Sequence, residues 1–479
     1  MEDEEVMKSL TISRKIFSPI YYGINTRQII GVLVTQPKRQ THSNIQQRQE
    51  YVPVLTVSPK NALYDVRPTI RVEGLKPNKT ITLKAQMVED KGKLLYSNAH
   101  FIADKNGVVD VSSSPSLGGS YEGVFPSGLL STLKIATGHF EFGNIYKNNM
   151  HEPIKVKISL QDGHQHIDSN EEELDGTELN RYMIAEGVQR IPIREGNIRG
   201  VLYIPNGEGP FPGVIDMFGA VGMLTESRAA LNASRGIASL CLAYFSYEDL
   251  PVSRIRDLDL SYFEEALKFL LSRPNVISDR CGVIGNCFGG YLAYRMALHF
   301  NELKSVFIIN ATHNPFFADL KYKGKLIAKC PKSKDIVVSK GSDDTYMPTE
   351  WFNDSIATVT PSDVEAFEKT NDDQHFMVTI GDEDCYQFHN GWLKFQEKLS
   401  NKKLKNFSLK IYRKAGHIIH PPYSPFSSVV FAQLWQSDPR LNKGVLCKFG
   451  GQVKETIHMQ EDVWKLIPDF IISHVVKTK

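Results

Sequence analysis

Two kinds of hydrophobic patterning divide the chain. Between about residues 53 and 160, apolar positions alternate with polar ones at period two, as in Thr69-Ile-Arg-Val-Glu73 and from Thr80 to Met87. Successive side chains of a strand face opposite ways, so this is the signature of half-buried strands. Gly74, Pro77-Asn78, Asn106-Gly107 and Gly118-Gly119 supply turns between the runs. Short strands closely spaced by turns predict an all-β, immunoglobulin-like sandwich over residues 51–165. No catalytic constellation is visible in it.

From about residue 187 the pattern changes to strands alternating with helices. Phe211–Phe218, Cys281–Ile284, Lys304–Asn310, His375–Ile380 and Ser408–Tyr412 read as strands, and Ile237–Phe245, apolar except for Ser239, is a run of the buried parallel-strand kind. Glu226–Ser234, Leu258–Leu271 and Gly290–Phe300 read as helices, with Phe263, Leu267 and Leu270 at helical spacing. Such alternation predicts an α/β domain with a mostly parallel sheet over residues 187–479. The stretch from about 311 to 365 breaks the rhythm and reads as a cap or lid. Between the two domains, Asp168–Glu178 is acidic and carries Glu171-Glu172-Glu173, so residues 166–186 read as a solvated linker.

Composition narrows the function classes. Across 479 residues, 56 Lys and Arg face 54 Asp and Glu, a net charge of +2, so no nucleic-acid partner is expected. No stretch approaches 18 consecutive apolar residues, which excludes a transmembrane helix on sequence grounds. An early apolar run with a cleavage site is also missing, which argues against secretion. The six cysteines are Cys241, Cys281, Cys287, Cys330, Cys385 and Cys447, and none forms a Cys-x-x-Cys pair. They read as reduced thiols in an intracellular compartment, not as a zinc site. His164 with His166, and His417 with His420, lack a third ligand, so no metal and no cofactor is expected.

The first 50 residues form an extension. From Val6 to Gln49 there is no acidic residue, while Lys8, Arg14, Lys15, Arg27, Lys38, Arg39 and Arg48 are basic. That is the composition of a mitochondrial presequence; the acidic start Glu2-Asp3-Glu4-Glu5 opposes it, and cytoplasm is the other address.

The sharpest chemical feature is Gly285-Asn286-Cys287-Phe288-Gly289, between an apolar strand and an amphipathic helix. This is the context of a nucleophile elbow. The nucleophile stands on a tight strand-to-helix turn, where side chains two residues away on either side would collide. Glycine therefore flanks it. The backbone N–H of Phe288 then faces the same volume as the sulfur and can donate to an oxyanion. The helix N-terminus adds positive potential there. A single Cys between glycines is more often a small buried hydrophobe, so partners are needed.

Such partners follow in the order acid, then histidine. Phe376–Ile380 runs into Gly381-Asp382-Glu383-Asp384, and Leu409–Tyr412 leads to Ala415-Gly416-His417. Both lie just past strand ends, where α/β sites are built. Cys287 is the expected nucleophile, His417 the base and Asp384 the orienting acid, with Asp382 competing on the same turn. A second oxyanion donor is expected from the turn after the Phe211 strand, at Gly219, Ala220 or Val221.

These residues resemble the acyl-CoA thioesterases and bile acid-CoA:amino acid N-acyltransferases. Ser114–Leu130 is similar to the family signature, with Ser127 where methionine is usual. Gly209–Gly219, Ala243–Pro251 and Gly416–Pro425 match closely, with His420 replacing the usual Glu. The resemblance covers almost everything after residue 50. It implies a β-sandwich followed by an α/β-hydrolase domain, and a triad of Cys287, Asp384 and His417. Thioesterases of the family usually carry Ser as nucleophile and the N-acyltransferases Cys.

The expected activity is hydrolysis of a fatty acyl-CoA through an acyl-cysteine. Transfer of the acyl group to glycine or taurine is the alternative. A thioester intermediate reacts with amines more readily than an oxyester, but hydrolysis needs no second binding site. Gly-x-Cys-x-Gly-Gly also resembles dienelactone hydrolases, which lack the β-domain, and a non-catalytic binding protein is the remaining class. Lys321, Lys323 and Lys325 could meet CoA phosphates, or form a solvated face.

Overall fold

The computed structural model describes residues 51–135, 147, 149–220, 224–252, 255–330, 338–341, 344–432 and 445–477. The expected targeting extension, residues 1–50, and the oxyanion candidate Val221 lie outside the described residues.

The N-terminal half is a two-sheet sandwich. One sheet has the strand order Val54–Ser58, Thr69–Glu73, Val109–Asp110. The other runs Asn61–Leu63, Glu173–Tyr182, Ile154–Asp162, Thr80–Val88, Leu94–Ile102, Lys134–Ile135. Val57, Ile70 and Val72 of the first pack into one core with Ile81, Leu83, Ile158 and Leu160 of the second. Alternation holds in the small sheet, where Thr69–Glu73 is buried at every second residue. It fails in Thr80–Val88, which is buried on both faces. There the outer face is covered by the segment after Asp162. Thr82 Oγ1 donates to Gly163 O at 2.8 Å, and Gln165 N donates to Thr82 Oγ1 at 2.8 Å.

The predicted 166–186 linker is corrected by the structure. Glu173–Tyr182 is a strand, antiparallel to Ile154–Asp162 with Lys157 opposite Glu178. The partner strand's lysines neutralise the acidic run: Lys157 Nζ lies 2.7 Å from Glu173 and Lys155 Nζ 3.5 Å from Glu178. Leu179 and Arg181 point inward and are buried. Charge had marked these residues as solvated, but cross-strand complementarity makes them an exposed face of a strand.

The C-terminal half is built on eight strands. They are β1 (Gln189–Glu195), β2 (Ile198–Ile204), β3 (Gly213–Met217), β4 (Ala238–Ala243), β5 (Cys281–Asn286), β6 (Leu303–Ile309), β7 (His375–Gly381) and β8 (Phe407–Tyr412). Their order is β1-β2-β4-β3-β5-β6-β7-β8. The β1–β2 and β2–β4 pairs are antiparallel, and all others are parallel. This is an α/β-hydrolase sheet. Strands β3 to β6 are buried at every residue, as helices cover both faces. The covering helices include α1 (Ser227–Ala233), α2 (Leu260–Leu271), α3 (Phe288–Ala297), α4 (His389–Gln396) and α5 (Val453–Val475). Asp259 caps α2 by accepting from Ser261 N at 2.9 Å.

The two halves share a seam. Ile457, Val463 and Trp464 of α5 belong to the same apolar core as the sandwich. Phe426 N donates to Ser131 O at 2.8 Å, and Lys454 Nζ to Glu122 O at 2.8 Å. The signature segment Ser114–Leu130 thus lies beside the hydrolase domain and at its contact with it.

Within the 311–365 region the described residues form two antiparallel strand pairs, Leu320–Tyr322 with Lys325–Ala328 and Val338–Lys340 with Tyr346–Pro348, and the helix Glu350–Ile356, with the helix Pro361–Glu368 running past its end. Of its lysines, Lys323 Nζ lies 3.4 Å from Glu264 and 4.7 Å from the Tyr322 ring centre. Lys321 and Lys325 are exposed. Among the described residues, no helix is long and apolar enough to cross a membrane.

Candidate active site

The elbow forms where β5 meets α3. Cys287 has φ 54° and ψ −123°, a conformation that side chains rarely adopt. Backbone bonds hold it there. Cys287 N donates to Ile309 O at 3.0 Å, and Gly290 N donates to Cys287 O at 2.9 Å. The flanking glycines are steric necessities. A Cβ on Gly285 would lie 2.1 Å from Gly289 O, and one on Gly289 would lie 2.3 Å from Phe218 O. The Cys287 side chain is half-buried.

His417 follows β8 on a loop anchored by His417 N donating to Phe449 O at 3.1 Å. Its Nδ1 is 2.8 Å from Asp384 Oδ2. The Cys287 side chain also acts on this imidazole, after Asp384, to favour its charged form. Asp384 and His417 are both buried. Asp384 Oδ1 accepts from Tyr386 N at 2.9 Å, which fixes the carboxylate plane. Asp382 points elsewhere and accepts from Lys414 N at 2.5 Å.

Asn310 was not singled out by the sequence reading. It ends β6 with φ 42° and is fully buried. Its Oδ1 accepts from Gly381 N at 2.9 Å. Its Nδ2 donates to Gly416 O and His417 O, both at 2.9 Å. One side chain therefore ties the turn carrying Asp384 to the loop carrying His417. The only trace of it in the sequence is a polar residue closing an otherwise apolar run.

Of the expected oxyanion donors, Phe288 is the first residue of α3. Gly219 lies against the nucleophile, since a Cβ there would be 3.1 Å from Cys287 Cβ and 3.5 Å from Sγ. Ala220 is buried in the same turn.

An aromatic wall surrounds the imidazole. Phe449 stacks on His417 at 5.2 Å and Tyr386 meets it edge-on at 5.1 Å. Phe288 packs against Phe316 at 5.5 Å and Phe317 at 6.1 Å. Phe316 continues the wall to Phe388 at 5.5 Å. The 311–365 segment thus contributes Phe316 and Phe317 to the packing around Phe288. His420, three residues past His417, is pushed down to about 4 by burial, so it stays neutral at physiological pH. Among the described residues no group of three or more His, Cys, Asp or Glu stands together to hold a metal.

Burial opposes charge on His417, but the Asp384 carboxylate and then the Cys287 side chain outweigh it and raise the imidazole to about 10 from its ordinary 6.5. A histidine with a raised folded pKa contributes stability that is complete below pH 6.5 and is lost as pH climbs through 10. Urea unfolding midpoints should therefore fall more steeply from pH 7 to pH 10 in the wild type than in Asp384→Asn. Parallel pH profiles would show that the imidazole does not draw on that carboxylate.

Residues 65–195 match the domain described as the acyl-CoA thioester hydrolase/BAAT N-terminal region. Residues 258–477 match the BAAT/acyl-CoA thioester hydrolase C-terminal domain. A mouse bile acid-CoA:amino acid N-acyltransferase is 34% identical over 430 residues, covering 88% of this chain and 98% of the relative. Mouse acyl-coenzyme A thioesterase 5 is 31% identical, covering 88% and 97%. Human mitochondrial acyl-coenzyme A thioesterase 2 is 31% identical, covering 86% and 82%. With both domains matched and identity above 30% over most of each partner, the chain belongs to the acyl-CoA thioester hydrolase/BAAT family.

Proposed function

We propose that this protein is an enzyme that takes the acyl group of a fatty acyl-CoA onto Cys287 and releases it to water. One observation carries the reading: Cys287 sits on a strained elbow, and His417, bonded through Nδ1 to Asp384, is close enough to Cys287 for the sulfur to raise its proton affinity. Membership of a family whose relatives are named for acyl-CoA thioester hydrolysis and acyl transfer supports the substrate class.

Each step follows from that arrangement. With the Sγ proton held on His417, whose raised pKa favours the charged imidazole, the sulfur attacks the thioester carbonyl. Negative charge develops on the carbonyl oxygen, where the Phe288 N–H and a donor of the Gly219–Ala220 turn meet it, each worth about 3–4 kcal/mol. The bond to the CoA sulfur breaks, and the proton held by His417 leaves with it as the CoA thiol. The acyl group remains as a thioester on Cys287. Water then gives a proton to His417 and attacks that thioester. Collapse of the second tetrahedral adduct frees the carboxylic acid and returns the proton to Sγ. Asp384 holds the imidazole in the tautomer that both steps need. The aromatic wall excludes water from the acyl chain and suits an apolar substrate.

A second reading replaces water by the amine of glycine or taurine. It draws support from the cysteine, because an acyl thioester is reactive toward amines, and from the N-acyltransferase relatives. Incubation of the purified protein with palmitoyl-CoA, with and without glycine or taurine, separates the two by product mass. Free palmitate at one rate in every mixture is expected. N-palmitoyl amino acid formed at the expense of palmitate would make the enzyme a transferase. No CoA release from palmitoyl, shorter or bulkier acyl-CoAs would overturn both readings and return the question to lactones or to a binding role.

A further inference from the structure

The turn after β3 is held from behind. Tyr244 follows β4 directly and is 5% exposed, its ring packed against Phe245 at 5.3 Å and Phe263 at 5.8 Å. Its hydroxyl lies 2.8 Å from Gly219 O and nearer still to Phe218 O, so its single proton is shared between the two carbonyls. One residue earlier, Met217 O accepts from Arg228 Nη2 at 3.0 Å, and that guanidinium is itself paired with buried Asp216. Three successive carbonyls, at residues 217, 218 and 219, are therefore each engaged by a side chain.

A trans peptide points its C=O and N–H in opposite directions. With the Gly219 carbonyl aimed at Tyr244, the N–H of Ala220 is aimed to the other side. That side holds the nucleophile, because a Cβ added to Gly219 would meet Cys287 Cβ at 3.1 Å and Sγ at 3.5 Å. We propose that Tyr244 is a positioning residue, which fixes the Gly219–Ala220 peptide so that the Ala220 N–H serves as the second oxyanion donor. The proposal rests on the acyl-Cys287 reading above. Burial first, and then the nearby Cys287 sulfur, push the Tyr244 phenol up, so it stays a donor throughout the working range. Without it the peptide is free to rotate, and the donor must be reorganised in each turnover.

Tyr244→Phe keeps the ring and removes only the hydroxyl. Two rates distinguish positioning from simple support of the fold. Acylation of Cys287 by palmitoyl-CoA, read by intact mass, develops an oxyanion. Alkylation of Cys287 by iodoacetamide is a direct displacement at carbon and develops none. Tyr244→Phe should slow acylation and kcat by ~10- to 100-fold, with KM changed less than about 3-fold. Alkylation should stay within about 2-fold. Unchanged acylation would overturn the proposal. An equal fall in both rates would overturn it too, because the tyrosine would then be supporting the elbow as a whole. A wild-type protein that takes up iodoacetamide at Cys287 but no acyl group would instead sink the acyl-cysteine reading itself, and the Tyr244 proposal with it.

Discussion

Replacing Cys287 with alanine should lower CoA release from palmitoyl-CoA by ~10³-fold or more, the scale seen when a nucleophile that works as a unit with its base is removed. The fold should survive, because the change removes one half-buried sulfur and leaves the backbone bonds of the elbow in place. No acyl adduct should form on the variant, whereas the wild type trapped with substrate should gain one acyl mass on Cys287. Cys287→Ser is the informative companion. Its hydroxyl is far less acidic than a thiol, yet the histidine and donors are unchanged, so it should keep a small residual hydrolysis. It should also lose any preference for amine acceptors, because the intermediate becomes an oxyester. Alanine variants that still release CoA at the wild-type rate would remove Cys287 from the chemistry.

Asp384→Asn should be nearly as damaging, with kcat falling ~10³- to 10⁴-fold while KM changes little. The shape is conserved, but an amide can present N–H to His417 Nδ1 and hold the imidazole in the tautomer that cannot accept the Sγ proton. Asp384 is buried and its two oxygens are committed, one to His417 and one to the backbone N–H of Tyr386. Asp382→Asn is the control from the same turn. Its carboxylate accepts from Lys414 N and has no bond to His417, so activity should stay within about 3-fold, with a small loss of stability from the weakened turn. Equal losses in the two variants would mean that the turn as a whole, not one carboxylate, supports His417.

The elements of the hydrolase domain were legible at the level of single residues. Cys281–Asn286, Leu303–Ile309, His375–Gly381 and Phe407–Tyr412 begin and end close to where their apolar runs do. Cys281–Asn286 and Leu303–Ile309 are buried at every residue, which favours a continuous apolar run; Phe407–Tyr412, at the sheet edge, exposes Ser408, Lys410 and Ile411. The 173–182 strand was not legible, because its exposed face carries acidic residues that read as solvated, and only its pairing with Ile154–Asp162 turns Leu179 and Arg181 inward. The double-sided burial of Thr80–Val88 was hidden for the same kind of reason: its outer face is covered by a segment some 80 residues later, through Gly163 and Gln165.

By itself, the sequence determined the two-part layout, the elbow and the order of the candidate site residues. These follow from local constraints: periodicity, a turn that tolerates only glycine around Cys287, and acid and histidine just past strand ends. Tertiary structure alone decided how those residues are held. Asn310 joins the acid turn to the histidine loop, Tyr244 and Arg228 grip the carbonyls of the turn beside Cys287, and Asp382 turns away to Lys414. A hydrogen bond between segments 25 or 100 residues apart has no period and no fixed spacing. It exists only after the sheet has brought the strand ends together.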